Sequence, residues 1–322
     1  MNVRVSAPST PVSAPPVQSA SMAPLGPETD ISADFPFESK YVEVLGSTMH
    51  YVDVGEGEPI LFIHGNPASS YLWRNIIPHL RGQGRCIALD LIGMGKSDHP
   101  DIDYTYDDQY RYLSAFIEAL GIGSNLTLVI HDWGSMLGFR WANEHAECVR
   151  GIGFMEAMVR PLSYADLPGS LKIGMRVMRT RPFNWLMVGV ANMFLRQVLP
   201  DLTYRPMDPE VLAHYRAPFP TVASRRAVRR FPVEVPFDGD PAHNYRTVTS
   251  YIDWIAGTEV PMLLLHGDDG VAIKADEVAW LREQVANLEV VDLGPGKHFL
   301  QETHPRRIGT ELSRWFAALP PR

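Results

Sequence analysis

Short apolar runs alternate with stretches of helical period from residue 35 onward. Residues 41–45 and 48–54 alternate apolar and polar positions around Gly46 and Ser47, which predicts a β-hairpin. Six further runs are almost continuously apolar, as is typical of strands covered on both faces of a parallel sheet: residues 60–63, 86–89, 126–130, 151–155, 262–265 and 288–293. Stretches of helical period lie between them, at residues 70–80, 106–120 and 135–144 among others. The pattern predicts a doubly wound α/β sheet of eight strands with helices on both faces.

This alternation is interrupted once, between residues 157 and 240, where the pattern predicts helices at 171–178, 183–198 and 208–215 and no strand. Such a segment is too long for a simple connection between two strands. It predicts an inserted helical cap, with the core formed by residues 31–156 and 241–322. The cap is rich in Met and Phe; we expect most of these side chains to pack inside it and a few to line a cavity beneath it: Met175, Met178, Met187, Met193 and Phe194.

The first thirty residues have a different composition. Fifteen of them are Pro, Ser or Ala, and no apolar periodicity appears, which predicts a disordered tail over residues 1–30. Prolines at positions 8, 11, 15 and 16 interrupt any candidate signal-peptide segment. The longest apolar run, residues 185–195, is far shorter than the roughly 20 residues of a membrane span. We therefore expect a cytoplasmic protein without a membrane partner.

Composition narrows the function classes. Apolar residues make up 45% of the 322 residues, enough for a sizeable core. The net charge of −8, from 29 Lys and Arg against 37 Asp and Glu, argues against nucleic acid as a partner. The two cysteines, Cys86 and Cys148, cannot form a disulfide framework, so we expect buried thiols in a reducing compartment.

The strongest chemical signal lies at residues 126–135, where an apolar strand ends at Asp132 and a helix begins shortly after Gly134. This strand–turn–helix context is typical of a nucleophile elbow, although Ile130 stands where the first glycine of that motif is usual. A carboxylate at the elbow is ionised at neutral pH and can attack carbon to form an ester without a base. The alternative is that Asp132 only caps the following helix.

Two further segments complete a candidate site. The strand at residues 60–63 runs into a turn with the sequence His-Gly-Asn-Pro, and such a turn supplies an oxyanion-hole donor in this architecture. The Asn66 amide could face a developing negative charge, whereas we expect His64 to hold the turn. His298 follows a Gly-Pro-Gly loop after the last strand and is a candidate base for activating water. His304, which precedes a proline, is a weaker candidate.

The residues alone do not decide which carboxylate would orient His298. Glu156 ends an apolar run, where an unpaired carboxylate would be costly. Asp268 and Asp269 follow the strand at residues 262–265 and could serve instead, although an Asp-Asp-Gly sequence is also typical of an exposed turn. Burial favours Glu156.

The chain resembles the haloalkane dehalogenases of the α/β-hydrolase superfamily over residues 35–318, least clearly at 163–205. The resemblance rests on the segments His-Gly-Asn-Pro (64–67), Ser-Tyr-Leu-Trp-Arg (70–74), Asp-Leu-Ile-Gly-Met-Gly-Lys-Ser-Asp (90–98), His-Asp-Trp-Gly (131–134) and His-Phe-Leu-Gln-Glu (298–302). It implies an α/β-hydrolase fold and hydrolysis of small halogenated aliphatic compounds by water to alcohol, halide and a proton. It implies no metal and no cofactor, and it leaves the oligomeric state open.

The same resemblance implies roles for particular residues. Asp132 would be the nucleophile, His298 the base and Glu156 the acid, while Asn66 and the indole N–H of Trp133 would bind the halide. We expect further residues to line the pocket: Phe194, Phe231, Pro232, Val271 and Phe299.

Other functions remain possible on this scaffold. An epoxide hydrolase would use the same Asp and His, with cap tyrosines such as Tyr204 and Tyr215 protonating the epoxide oxygen. A coelenterazine-type luciferase and a hydrolase-like receptor without turnover are further alternatives.

Overall fold

The computed structural model describes residue 28, residues 31–167 and residues 169–320. Eight strands form one sheet in the order β1-β2-β4-β3-β5-β6-β7-β8, and only β2 runs against the others. The strands are β1 (Lys40–Val44), β2 (Ser47–Val54), β3 (Pro59–Ile63), β4 (Arg85–Leu89), β5 (Leu126–Asp132), β6 (Val149–Ala157), β7 (Met262–His266) and β8 (Leu288–Asp292). The predicted eight-stranded α/β architecture is confirmed.

Ten α-helices accompany the sheet in the described part of the chain. They are α1 (Tyr106–Ala119), α2 (Trp133–Glu144), α3 (Gly169–Met178), α4 (Arg181–Asn184), α5 (Leu199–Asp201), α6 (Pro209–Arg216), α7 (Arg226–Glu234), α8 (Ala242–Gly257), α9 (Ala275–Gln284) and α10 (Pro305–Ala318). Two π-helical segments, Trp185–Val190 and Phe194–Val198, lie between α4 and α5.

Local predictions differ from the structure in several places. The hairpin turns at Leu45 and Gly46, both with positive φ, so the turn lies one residue earlier than predicted. Residues 70–80 form two short 3₁₀ turns, Ser70–Trp73 and Ile77–His79, instead of one helix. Helix α7 was not predicted, because a proline inside a helical pattern normally ends it.

The segment between β6 and α8 contains helices and no strand among its described residues, and we call it the helical segment. Several of its side chains lie over the carboxyl ends of the central strands, where they line a cavity together with Asp132. The division of the chain into core and cap domains stays a prediction.

The predicted tail lies outside the described residues except for Glu28, and Glu28 is attached to the body. Its N–H donates to the Thr303 carbonyl, and its carboxylate accepts hydrogen bonds from the backbone N–H groups of Arg306 and Arg307 at the start of α10. A carboxylate is stabilised at a helix N-terminus because four N–H groups there have no partner within the helix. Contacts with the core therefore begin before residue 31.

Two other expectations can be compared with the structure. Cys86 is buried as expected, whereas Cys148 is only partly buried. Among the described residues, no helix has both the length and the apolar character that crossing a membrane requires.

Candidate active site

Asp132 occupies a sharp turn between β5 and α2. Its backbone has φ 51° and ψ −124°, a conformation that residues other than glycine rarely adopt. Gly134 permits this turn, because a Cβ at that position would lie 2.1 Å from the carbonyl oxygen of Ile63 in β3. Gly65 is required for a similar reason, since its Cβ would lie 2.0 Å from Oδ1 of Asp132. The strained turn presents the carboxylate at the end of the sheet.

Backbone donors hold the Asp132 carboxylate. The N–H of Asn66 donates to Oδ1 at 2.7 Å, and the N–H of Trp133 also donates to this carboxylate. Burial alone would raise the pKa of the Asp132 carboxyl, but the hydrogen bond and charge of His298 outweigh burial and lower it. The group is therefore ionised at neutral pH and needs no base for attack.

His298 lies between two carboxylates. Its Nε2 is 3.4 Å from Oδ2 of Asp132, and its Nδ1 is 3.1 Å from Oε2 of Glu156. Burial disfavours the charged imidazole, but the hydrogen bonds to Asp132 and Glu156 dominate and raise the pKa of His298 to about 10. The free site therefore contains an imidazolium between two carboxylates.

Glu156 is held by the loop after β7. Its buried carboxylate accepts N–H bonds from Val271 at 2.8 Å, Ala272 at 2.9 Å and Ile273 at 3.3 Å. Gly270 makes room for it, since a Cβ there would lie 2.6 Å from Oε1 of Glu156. The side chain is fixed before any substrate binds.

The alternative acids are placed differently. Asp268 and Asp269 are both exposed, and their backbone N–H groups donate to the carbonyls of Gly294 and Gly296 in the loop before His298. In the described part of the chain, the carboxylates paired with His298 are those of Asp132 and Glu156. The geometry favours Glu156 as the acid.

The raised pKa of His298 makes stability depend on pH. Its ordinary value is 6.5, so between about pH 6.5 and about pH 10 the folded protein holds a proton that the unfolded chain releases. This stabilisation is complete below about pH 6.5 and is lost as the pH rises through about 10. We expect the melting temperature to fall over this range, and to fall less in a His298→Gln variant. Equal slopes for the two proteins in thermal unfolding would contradict the assignment.

Asn66 is positioned partly by a proline. Pro232 lies inside α7 and has no N–H, so the carbonyl of Val228, four residues earlier, lacks its usual helical partner. That carbonyl accepts a hydrogen bond of 3.4 Å from Nδ2 of Asn66. The amide nitrogen carries two hydrogens, so one remains for a second acceptor in the cavity that Asn66 lines.

Trp133 is buried and lines the same cavity. Its ring meets Phe231 edge-on at a centroid distance of 4.3 Å and Tyr106 at 5.8 Å. These contacts fix the indole, and Trp133 lines the cavity together with Asn66. Two N–H-bearing side chains therefore border one apolar space.

The cavity over Asp132 has a volume of about 190 Å³. Four of the predicted pocket residues line it, namely Phe194, Pro232, Val271 and Phe299. Phe231 is not among the lining residues, and its ring packs edge-on against Trp133, which does line the cavity. The remaining walls are mostly apolar, and they include Met175 and Met178, two of the cap residues of which a few were expected to line the cavity. The other wall residues were not singled out from the sequence: Pro67, Met158, Leu162, Leu167, Val198, Leu202, Val235, Phe237 and Ala272.

Met175 and Met178 could have been assigned to the wall from helical spacing, since they are three residues apart and so lie on one side of α3. The backbone donors for Glu156 carried no side-chain signal. The only residue in the sequence that indicates them is Gly270, which was interpreted as part of an exposed turn.

The other histidines and tyrosines considered in the sequence analysis form hydrogen bonds away from the cavity or are exposed. His64 donates from Nδ1 to the Gly65 carbonyl and accepts the Leu91 N–H at Nε2, so it holds the turn as predicted. His304 is bonded to the carbonyl of Pro295. Of the two tyrosines considered for an epoxide hydrolase, Tyr204 is exposed, and neither lines the cavity. The hydroxyl of Tyr215 instead donates to Glu302 at 2.6 Å.

Comparisons with known proteins agree with this arrangement. Residues 58–305 match the α/β hydrolase fold family. A haloalkane dehalogenase of Sphingobium indicum (strain B90A) is 40% identical over 289 residues, which cover 88% of this chain and 97% of that protein. One of Agrobacterium fabrum (strain C58) is 37% identical, over 86% of this chain and 91% of that protein.

Solved structures lead to the same family. The crystal structure of haloalkane dehalogenase DbeA from Bradyrhizobium elkani USDA94 has a TM-score of 0.85 and 39% identity, and the match covers 87% of this chain and 98% of that one. Identity at this level, over nearly the full length of the relatives, establishes common descent as well as a common fold. The chain belongs to the haloalkane dehalogenase family of α/β hydrolases.

Proposed function

We propose that this protein hydrolyses small halogenated aliphatic compounds to an alcohol, a halide ion and a proton through a covalent ester on Asp132. The observation that carries the proposal is the arrangement of an ionised carboxylate on a strained elbow, backed by His298 and Glu156, at the floor of an apolar cavity. Family membership supports the same reaction.

In the first step an oxygen of Asp132 attacks the halogen-bearing carbon. Oδ1 is held by the Asn66 N–H at 2.7 Å, whereas Oδ2 has only the longer contact of 3.4 Å with His298 and is the freer nucleophile. The new carbon–oxygen bond forms as the carbon–halogen bond breaks, and its electron pair leaves with the halide. Amide and indole N–H groups of Asn66 and Trp133 would stabilise that growing charge, which is the requirement for accelerating this step.

In the second step water attacks the carboxyl carbon of the ester. Esterification removes the negative charge of Asp132, so His298 loses one of the two carboxylates that raise its pKa. It can then release its proton to solvent and act as a base toward water, while Glu156 still holds Nδ1. The backbone N–H groups of Asn66 and Trp133 face the oxyanion that forms on Asp132.

Collapse of this intermediate restores the Asp132 carboxyl and expels the alkoxide, which takes the proton that His298 removed from water. The carboxyl then ionises and its proton returns to His298, which restores the imidazolium. Alcohol, halide and the one proton that His298 released after ester formation therefore leave per turnover. A cavity of about 190 Å³ with mostly apolar walls suits a short haloalkane better than a polar substrate.

Halide release from 1-bromobutane or 1,2-dibromoethane tests this function directly. We expect turnover by the wild-type chain and none by an Asp132→Asn variant. Styrene oxide offered in parallel distinguishes an epoxide hydrolase, which no described tyrosine at the cavity supports. Binding of these compounds without bromide release would instead indicate a receptor.

The proposed halide site has its own test. We expect bromide to perturb tryptophan fluorescence saturably, and we expect this change to disappear in a Trp133→Phe variant. An Asn66→Ala variant should lose about 10²-fold in turnover, by analogy with removal of one oxyanion donor. As a control, Asn143→Ala removes an amide at an exposed contact with Ser250 and should change neither property. Full activity of Asn66→Ala would contradict the site.

A further inference from the structure

One face of the helical segment exposes large apolar side chains. Phe183, Trp185, Leu186 and Val190 are 53%, 51%, 51% and 45% exposed. Phe183, Leu186 and Val190 follow one another at intervals of three and four residues, which places them along one side of a helix. Large apolar side chains exposed close together in sequence are typical of a surface that binds a partner or a membrane.

Arginines border the same patch. A cleft of about 440 Å³ beside Trp185 is lined by five arginines and one carboxylate, that of Asp103; the arginines are Arg179, Arg181, Arg226, Arg229 and Arg230. Carboxylates pair with three of them: Asp240 with Arg179, Asp101 with Arg226, and Glu234 with Arg230. The patch and the cleft together are called the Trp185 face below.

Two of these arginines lack a carboxylate partner within the described residues, Arg181 and Arg229. The Nε of Arg229 is buried without a hydrogen-bond partner there. Burial and the charge of Arg226 lower the pKa of the Arg229 guanidinium, so its positive charge is incompletely compensated. An anion bound in the cleft would compensate the positive charge of Arg229.

The charge distribution along the chain also favours an anionic partner for this face. Residues 157–240 contain twelve Lys and Arg against seven Asp and Glu, although the whole chain carries −8. The positive charge is therefore concentrated in the part of the chain that carries the exposed apolar residues.

We propose that the Trp185 face binds the surface of membranes that contain anionic phospholipids. Phe183, Trp185 and Leu186 would enter the boundary between headgroups and acyl chains, while the arginines of the cleft take lipid phosphate groups. Arginine beside Trp, Phe and Leu is the composition of surfaces that lie in this interface. The proposal departs from the sequence-based expectation that the protein has no membrane partner.

A second copy of the chain fits this face less well than a lipid surface. Pairing about a twofold axis would bring the same patch of both copies together, and hence the unpaired arginines of one copy close to those of the other. Anionic lipid supplies the opposite charge and an apolar layer at once.

The Trp185 face also lies close to the cavity over Asp132, so apolar substrates could reach that cavity from a membrane. Met178 and Pro232 line the cavity over Asp132, whereas their neighbours in sequence, Arg179 and Val233, line the cleft. The cleft and the cavity thus share walls. A haloalkane dissolved in the bilayer would be concentrated next to the helices that enclose the site.

Co-sedimentation of the full chain with vesicles tests the proposal. We expect binding to vesicles of phosphatidylcholine with one third phosphatidylglycerol, weak binding to phosphatidylcholine alone, and a loss of binding as salt rises. Arg181→Gln and Arg229→Gln should each weaken partitioning about five-fold. A Trp185→Ser and Leu186→Ser double variant should weaken it by about ten-fold or more.

Matched controls lie elsewhere on the surface. Arg282→Gln on α9 removes an exposed arginine, and Leu45→Ser removes an equally exposed leucine at the hairpin turn. Neither should change partitioning, and all variants should keep wild-type halide release, because none of these residues lines the cavity. That readout also separates a failure of this proposal from a failure of the proposed reaction.

Several outcomes would overturn the proposal. The first is equal partitioning of the wild-type chain and the Trp185 face variants, or no binding to anionic vesicles. The second is a dimer in gel filtration that the double variant abolishes, which would make the face a contact between copies. The third is tight binding of inorganic pyrophosphate in calorimetry without vesicle binding, which would make the cleft a site for a free anion.

Discussion

A His298→Phe variant is expected to react once with a bromoalkane and then stop, with the alkyl group attached to Asp132. Phenylalanine cannot accept a proton from water, so the second step loses its base. The first step needs no base, and Asp132 keeps both of its backbone N–H donors in the variant. Turnover should fall by several orders of magnitude while a single equivalent of bromide is still released.

Intact-protein mass spectrometry after incubation with 1-bromobutane should show one added butyl group, and peptide mapping should place it on Asp132. A His298→Phe, Asp132→Asn double variant should remain unmodified. The matched control is His243→Phe, which makes the same change at an exposed histidine on α8 and should keep full turnover. An unmodified mass for His298→Phe under saturating substrate would rule out the covalent scheme.

The fold could be predicted because the strands are marked by pattern alone. Continuous apolar runs separated by helical stretches lead to a parallel sheet, and all eight predicted strands are present within one or a few residues of their expected bounds. Helix α7 was missed because Pro232 counts locally as a helix breaker, whereas packing against the core outweighs the missing hydrogen bond.

The helical segment was harder to predict in detail. Residues 183–198 look like one helix in sequence, but the structure divides them into α4 and two π-helical stretches. Asn192 lies between those stretches with a φ of 56°, which no regular helix accommodates. The local sequence pattern therefore predicts that these residues are helical, but it does not predict where the helix is interrupted.

At the site, the sequence identified the side chains and missed most of what positions them. Asp132, His298 and Glu156 were all singled out from strand ends and loop motifs, and the structure brings both carboxylates within hydrogen-bond or ion-pair distance of His298. The donors from residues 271–273 to Glu156 are backbone groups, which any residue type supplies. The Val228 carbonyl that holds Asn66 is likewise invisible in sequence.

Replacing Glu156 with Gln is expected to cost about 10⁴ in turnover, as loss of the acid does in comparable triads. The carboxylate orients His298 through Nδ1 and stabilises the imidazolium that forms when water is deprotonated. Glutamine has nearly the same volume, and its carbonyl can keep the bonds from Val271 and Ala272, so that only the longest bond, the one from the Ile273 N–H, is lost to the amide nitrogen. The loss therefore reports mainly the missing charge.

Because Asp132 is ionised without help, this loss should fall on ester hydrolysis alone. Rapid-mixing measurements should show a burst of about one equivalent of bromide, followed by slow steady-state release. Asp269→Asn is the matched control, since it removes a carboxylate that is exposed and not paired with His298. Asp269→Asn should leave turnover almost unchanged. If Asp269→Asn abolishes turnover while Glu156→Gln remains active, the acid lies after β7, and the three N–H groups that hold Glu156 serve only to stabilise a buried charge.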